Sequence, residues 1–93
     1  MNKQLLQAYV DVLKEHQDAE KEFYKLTGTY KGAAAMGRMF GLETALSALT
    51  IQADHHDLKL MAKMRRQAGR GEEPTFEFVT REEIKEANKF DHD

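Results

Sequence analysis

The chain has 93 residues, no cysteine, and 14 basic against 16 acidic side chains, for a net charge of −2. That length holds one domain rather than two, and the missing cysteines exclude a disulfide-stapled fold and any thiolate nucleophile or thiolate metal centre. No stretch approaches the roughly 20 apolar residues of a membrane span, and no signal-peptide apolar region follows Met1, so a cytoplasmic protein without a membrane partner is expected.

From Leu5 the apolar positions Leu5, Tyr9, Val12, Ala19, Phe23, Leu26 and Tyr30, with His16 in phase, alternate spacings of four and three. That is the stripe of an amphipathic helix. Gly28 is the natural residue to end it, because a left-handed cap costs glycine no Cβ clash. Residues 28–32 form the connection, and the pattern resumes from Ala33 through Met36, Met39, Phe40, Leu42, Leu46, Leu49, Ala53, His56, Leu60 and Met64 until Gly69 and Gly71. The spacing predicts a second helix of about 36 residues, on the order of 54 Å, beside a first of about 25 residues and 38 Å. A short connection makes such neighbours antiparallel.

With the turn near residue 30, opposed positions add to about 59 or 60. Phe23 then meets Met36, Ala19 meets Phe40, His16 meets Glu43, Val12 meets Leu46 and Leu5 meets Ala53. The longer second helix overhangs beyond about residue 58 and leaves Leu60, Met61 and Met64 in need of cover. After Gly71, Pro74 stops any helix. Thr80 with Glu83 reads as a capping box opening a short helix over 81–90. The expected architecture is therefore all-α, a helical hairpin over 1–70 and an acidic C-terminal segment over 71–93. Residues 30–70 carry seven basic against three acidic side chains, and residues 71–93 carry three against eight. This asymmetry suggests that the acidic end packs back on the hairpin.

Glycine inside a helix costs about 1 kcal/mol relative to alanine, so Gly37 and Gly41, in line with Ala45 and Ala48, call for a reason. Close approach of a second copy is the reading preferred here, giving a homodimeric four-helix bundle. Accommodation of Phe23 and Tyr24 of the first helix is the rival. His16 opposite Glu43 reads as a buried polar pair that fixes register. With Glu20 these groups also have the composition of a metal site, but the His-x-x-x-Glu order differs from that of carboxylate di-metal bundles, and no metal or cofactor is expected. Asp54-His55-His56-Asp57 reads as a solvated helix face, since consecutive helical positions point about 100° apart and cannot converge on one ion.

Lys59, Lys63, Arg65, Arg66 and Arg70 make the far end of the second helix basic. Such a cluster suits a nucleic-acid phosphate or a partner's acidic surface, although cations in a last turn also complement the helix dipole. The loop Gly28-Thr29-Tyr30-Lys31-Gly32 lacks the Gly-Lys-Ser/Thr ending of a phosphate-binding loop. The only serine, Ser47, lies mid-helix with no base beside it in the pattern. In type the chain resembles the many short helical proteins of bacteria and their phages. The expected function is a non-enzymatic protein–protein interaction or regulatory module that self-associates through the second helix. The alternative is a small nucleic-acid-binding regulator using the basic end, with a metal-binding bundle behind it.

Overall fold

The computed structural model describes residues 2–76, which are all-helical with three helices and no strand among them: α1 (Lys3–Lys25), α2 (Tyr30–Ile51) and α3 (His55–Gly69). Asn2 opens α1 as its N-cap, its side-chain Oδ1 accepting the Leu5 N–H at 3.1 Å. This satisfies one of the donors that a helix start leaves without a partner. The helix buries Leu5, Leu6, Tyr9, Val10, Leu13 and Ala19. It ends where the Leu26 N–H returns to the Glu22 carbonyl at 3.0 Å and Gly28 turns left-handed at φ 85°.

Thr29 then caps α2, its hydroxyl accepting the Gly32 N–H at 3.1 Å. Tyr30 is thus the first residue of α2, not the last of the α1 stripe. The ion pairs His16–Glu43 and Glu22–Arg38 cross between the two helices. They fix the antiparallel register at the opposed positions that the sequence implies. Ala19, Gly32 and Ala35 are buried in this hairpin. The small residues that let α1 and α2 approach are therefore these, rather than Gly37 and Gly41.

The expected 36-residue second helix is two helices of 22 and 15 residues, broken at Gln52–Asp54. Asp54 has extended backbone, and its Oδ1 accepts the Asp57 N–H at 2.8 Å as the N-cap of α3. Thr50 turns its hydroxyl onto the Ser47 carbonyl at 2.6 Å, a local bond that competes with the helix ladder. The break sacrifices a few helical hydrogen bonds, each worth about 1 kcal/mol net. In return α3 folds back along α1 and buries Leu60, Met61 and Met64, at about 1.5–3 kcal/mol per side chain. Burial wins, and the uncovered overhang does not exist.

α3 runs parallel to α1. The Asn2 N–H donates to buried Asp57 Oδ1 at 3.1 Å at one end, and Gln17 Nε2 donates to the Ala68 carbonyl at 3.2 Å at the other. The core comprises Leu5, Leu6, Tyr9, Val10 and Leu13 of α1, Leu46 of α2, and Leu60, Met61 and Met64 of α3. It therefore lies at the α1 N-terminal half rather than along the hairpin seam. Phe40 and Met36, expected against Ala19 and Phe23, are exposed. The inner side of α2 is the Ala35–Leu46 side, which turns Phe40 outward.

Gly71, at φ 79°, ends α3 in a Schellman motif: the Gly71 and Glu72 N–H groups return to the Ala68 and Gln67 carbonyls at 3.1 and 3.0 Å. From there Glu72–Phe76 runs back along α1. Pro74 is buried, Phe76 packs on the core, Lys14 pairs with Glu73 at 3.1 Å, and Gln17 donates to the Glu72 carbonyl at 2.9 Å. The rest of the acidic segment, including the expected helix over 81–90, lies outside the described residues.

Acid should loosen the α2–α3 corner. The Asp57 N–H bond holds the Asp54 carboxyl below its usual pKa. Its contribution to stability is therefore present above the unfolded value of about 3.9 and is lost as pH falls through the lower folded value. Melting temperatures of the wild type and Asp54→Ala should differ at pH 6 and converge toward pH 2. A gap that stays constant with pH would remove the role assigned to this carboxylate.

Candidate functional site

Three features outside the apolar core could carry function. The first is a polar cluster that draws on all three helices. His16 Nε2 lies 3.1 Å from Glu43 Oε1, and His16 Nδ1 lies 3.9 Å from Glu20 Oε2. From α3, the Arg65 guanidinium donates to both Glu43 oxygens at 3.0 Å and also meets the buried Tyr9 hydroxyl. Burial pushes the Tyr9 pKa up, against the pull of the Arg65 charge. Burial opposes the charge on Arg65, yet the hydrogen bonds and attraction of Glu43 hold its pKa above the usual value.

This arrangement suits bracing rather than metal binding. The two carboxylates address opposite nitrogens of His16, so they do not converge on one point, and the Arg65 cation occupies the remaining side of Glu43. Among the described residues no group of three or more His, Asp or Glu side chains is placed to hold a metal ion. The pair expected to be buried is only partly so, the Glu43 side chain keeping 41% of its exposure. Solvent therefore screens it, and its contribution to stability is modest.

The basic residues of α3 do not form one patch. Lys59, Lys63 and Arg66 recur at helical spacing along one flank, whereas Arg65 points about 100–160° away from them and binds Glu43. Arg70, past the helix end, pairs with Glu72 at 2.9 Å. Asp54-His55-His56-Asp57, read from sequence as a solvated face, is the start of α3: Asp54 caps it and Asp57 is buried.

The second feature is the outer face of α2. Only Lys31, Arg38 and Glu43 are charged among its 22 residues, yet only Gly32, Ala35 and Leu46 are buried. Among the described residues, four of the six exposed large apolar side chains belong to it: Tyr30 at 97%, Ile51 at 84%, Phe40 at 66% and Met36. Opposite the core, Tyr30, Ala33, Gly37, Phe40, Thr44, Ser47 and Ile51 follow alternating steps of three and four, a second uncharged heptad stripe along the whole helix. Gly41 and Ala48 flank it, whereas half-buried Ala45 lies outside it, about 120° from its centre. A Cβ built on Gly37 or Gly41 meets nothing within 4 Å, so these glycines do not accommodate Phe23 or Tyr24.

A third, smaller feature is a groove of about 310 Å³ between Gln7, Val10 and Lys14 of α1 and the strap from Glu73 to Phe76. Among the described residues no helix is long and apolar enough to cross a membrane. Compared with protein-family models, with curated proteins and with solved structures, the chain matches none of them.

Proposed function

We propose that the chain is a non-enzymatic interaction module that self-associates through the outer face of α2. The α1–α2 hairpins of two copies would then form a four-helix core. The observation that carries this reading is the second uncharged heptad stripe, about 31 Å long, which the other described residues leave exposed. Helices that are apolar all round are normally buried, and monomers rarely expose contiguous apolar patches beyond a few hundred Å². The small residues Gly37, Gly41 and Ala48 suit close approach of another helix backbone, which would account for two glycines kept inside a helix at about 1 kcal/mol each. In such an assembly the polar cluster around Glu43 serves as the internal brace that holds α2 in place. Arg66, the exposed member of the basic flank of α3, stays outside this contact for a protein partner.

Sedimentation equilibrium tests the reading. The wild-type chain should give a dimer mass at micromolar concentration. Phe40→Glu, which places a charge in the centre of the contact, should weaken association on the order of 100-fold or more with its helical circular dichroism unchanged. A wild-type chain that stays monomeric at millimolar concentration would remove the proposal.

A further inference from the structure

The polarity of α2 along its outer stripe carries more than the fact of association. We infer that two copies pair antiparallel along α2, about a twofold axis passing between Phe40 and Gly41, so that Phe40 of each copy seats on Gly41 of the other. This inference rests on the self-association proposed above.

A twofold interface must be complementary to itself, and the stripe is complementary when reversed. About that axis opposed residues add to 81. Phe40 faces Gly41, Gly37 faces Thr44, Ala33 faces Ala48, and Tyr30 faces Ile51. The bulkiest central side chain thus meets the position where a Cβ has open space, as interdigitated packing requires. Tyr30 and Ile51, the two most exposed large apolar residues of the described chain, lie at opposite ends of α2. Only the reversed orientation with full overlap covers both with each other. A parallel pair instead stacks every residue on its own copy, Phe40 against Phe40 and glycine against glycine, which leaves a bulge beside voids. Antiparallel helices also set opposite dipole ends side by side.

The overall architecture favours the same orientation. α3 reaches only as far along α1 as Gln17, where that side chain meets Ala68. Beyond it, among the described residues, the hairpin is a two-helix arm comprising the end of α1 and the start of α2. Reversed pairing lays each arm along the three-helix end of the other copy. The area is of the right order as well: at their exposures, Tyr30 and Phe40 alone offer on the order of 300 Å² per copy. Adding Ile51, Met36 and the small residues brings a symmetric contact to the roughly 1,000 Å² that a specific interface needs.

The absence of native cysteine makes the orientation directly testable. Ala33→Cys and Ala48→Cys both lie on exposed positions of α2. In the inferred pair, two copies of position 33 are about 22 Å apart along the axis, whereas position 33 faces position 48. A short bismaleimide should therefore link a mixture of the two variants at least ten-fold more efficiently than either variant alone. Gly41→Leu, whose added Cβ has no neighbour within 4 Å, should weaken association at least ten-fold without loss of helicity. Efficient self-linking of Ala33→Cys would overturn the orientation in favour of a parallel pair. A dimer by sedimentation with neither linking pattern would overturn the register while leaving self-association standing, and a monomer would overturn both.

Discussion

Leu46→Ala should cost the fold about 2–5 kcal/mol, the range for deleting a buried leucine side chain. Leu46 is fully buried and is the one residue of α2 in the core cluster, where it meets side chains of α1 and α3. Its removal leaves a cavity where three helices converge, with no neighbouring turn of α2 able to supply another fully buried side chain. Domains of this size have on the order of 5–15 kcal/mol of stability in all, and each kcal/mol moves the melting temperature by about 4–8 °C. A fall of at least about 8 °C by circular dichroism is therefore expected, measured at a concentration where any self-association is constant. Leu49→Ala, at a half-buried position one turn on, should cost less. Equal losses at the two sites would mean that α2 is not anchored through Leu46.

Gly32→Ala should be the second most damaging change, although alanine ordinarily stabilises a helix. A Cβ on Gly32 would overlap the Leu26 carbonyl oxygen and crowd the Leu26 carbonyl carbon. The obstruction is backbone in the α1–α2 turn, and backbone cannot step aside by changing rotamer. Relief requires moving Leu26 or lifting Thr29 from its cap on the Gly32 N–H. The expected cost is about 2–3 kcal/mol, the upper part of the range for overpacking. Gly37→Ala, measured at a concentration where the chain is monomeric, is the control: with no neighbour within 4 Å of the added Cβ, it should raise stability by up to about 1 kcal/mol from propensity alone. Urea titrations of the two variants should thus shift in opposite directions. A neutral Gly32→Ala would mean that the turn is looser than its hydrogen bonds imply.

The two outcomes have the same root in what a sequence pattern can and cannot convey. The first helix, the glycine turn and the cross-helix register were legible because they are local: a regular stripe, a left-handed glycine, and opposed pairs counted outward from the bend. His16 with Glu43 and Glu22 with Arg38 meet at the positions so counted. The break at Gln52–Asp54 was not, because Leu46, Leu49, Ala53, His56, Leu60 and Met64 keep helical phase across it. Periodicity reports which side is buried, and α2 and α3 bury matching sides against α1 whether or not the chain bends. A local sign was present, Asp54 followed three residues later by Asp57, in the same spacing that suggested a cap at Thr80.

The inner side of α2 is not legible in the sequence for a different reason. Apolar residues lie on both of its sides, so spacing could not say whether Phe40 faces α1 or faces away; only the burial of Ala35 and Leu46 decides. The polar cluster was half legible. His16 and Glu43 belong to the hairpin register, but Tyr9 and Arg65 are 56 positions apart and become neighbours only once α3 has turned back. Lys59, Lys63, Arg65, Arg66 and Arg70 look like one basic group along the chain, and helical rotation separates Arg65 from the rest.

The return of α3 also bears on how the chain reaches its native state. Most core side chains belong to α1 and α3, and the bonds that tie those helices together join residues 51 and 55 positions apart. The hairpin bend closes a loop of only a few residues, but little apolar surface is covered by it. The reward for ordering the chain therefore arrives late, after a long closure whose entropy grows with the logarithm of loop length. The domain should fold more slowly than its helical content suggests, with α3 the last segment to gain, and the first to lose, protection of its amide hydrogens from exchange.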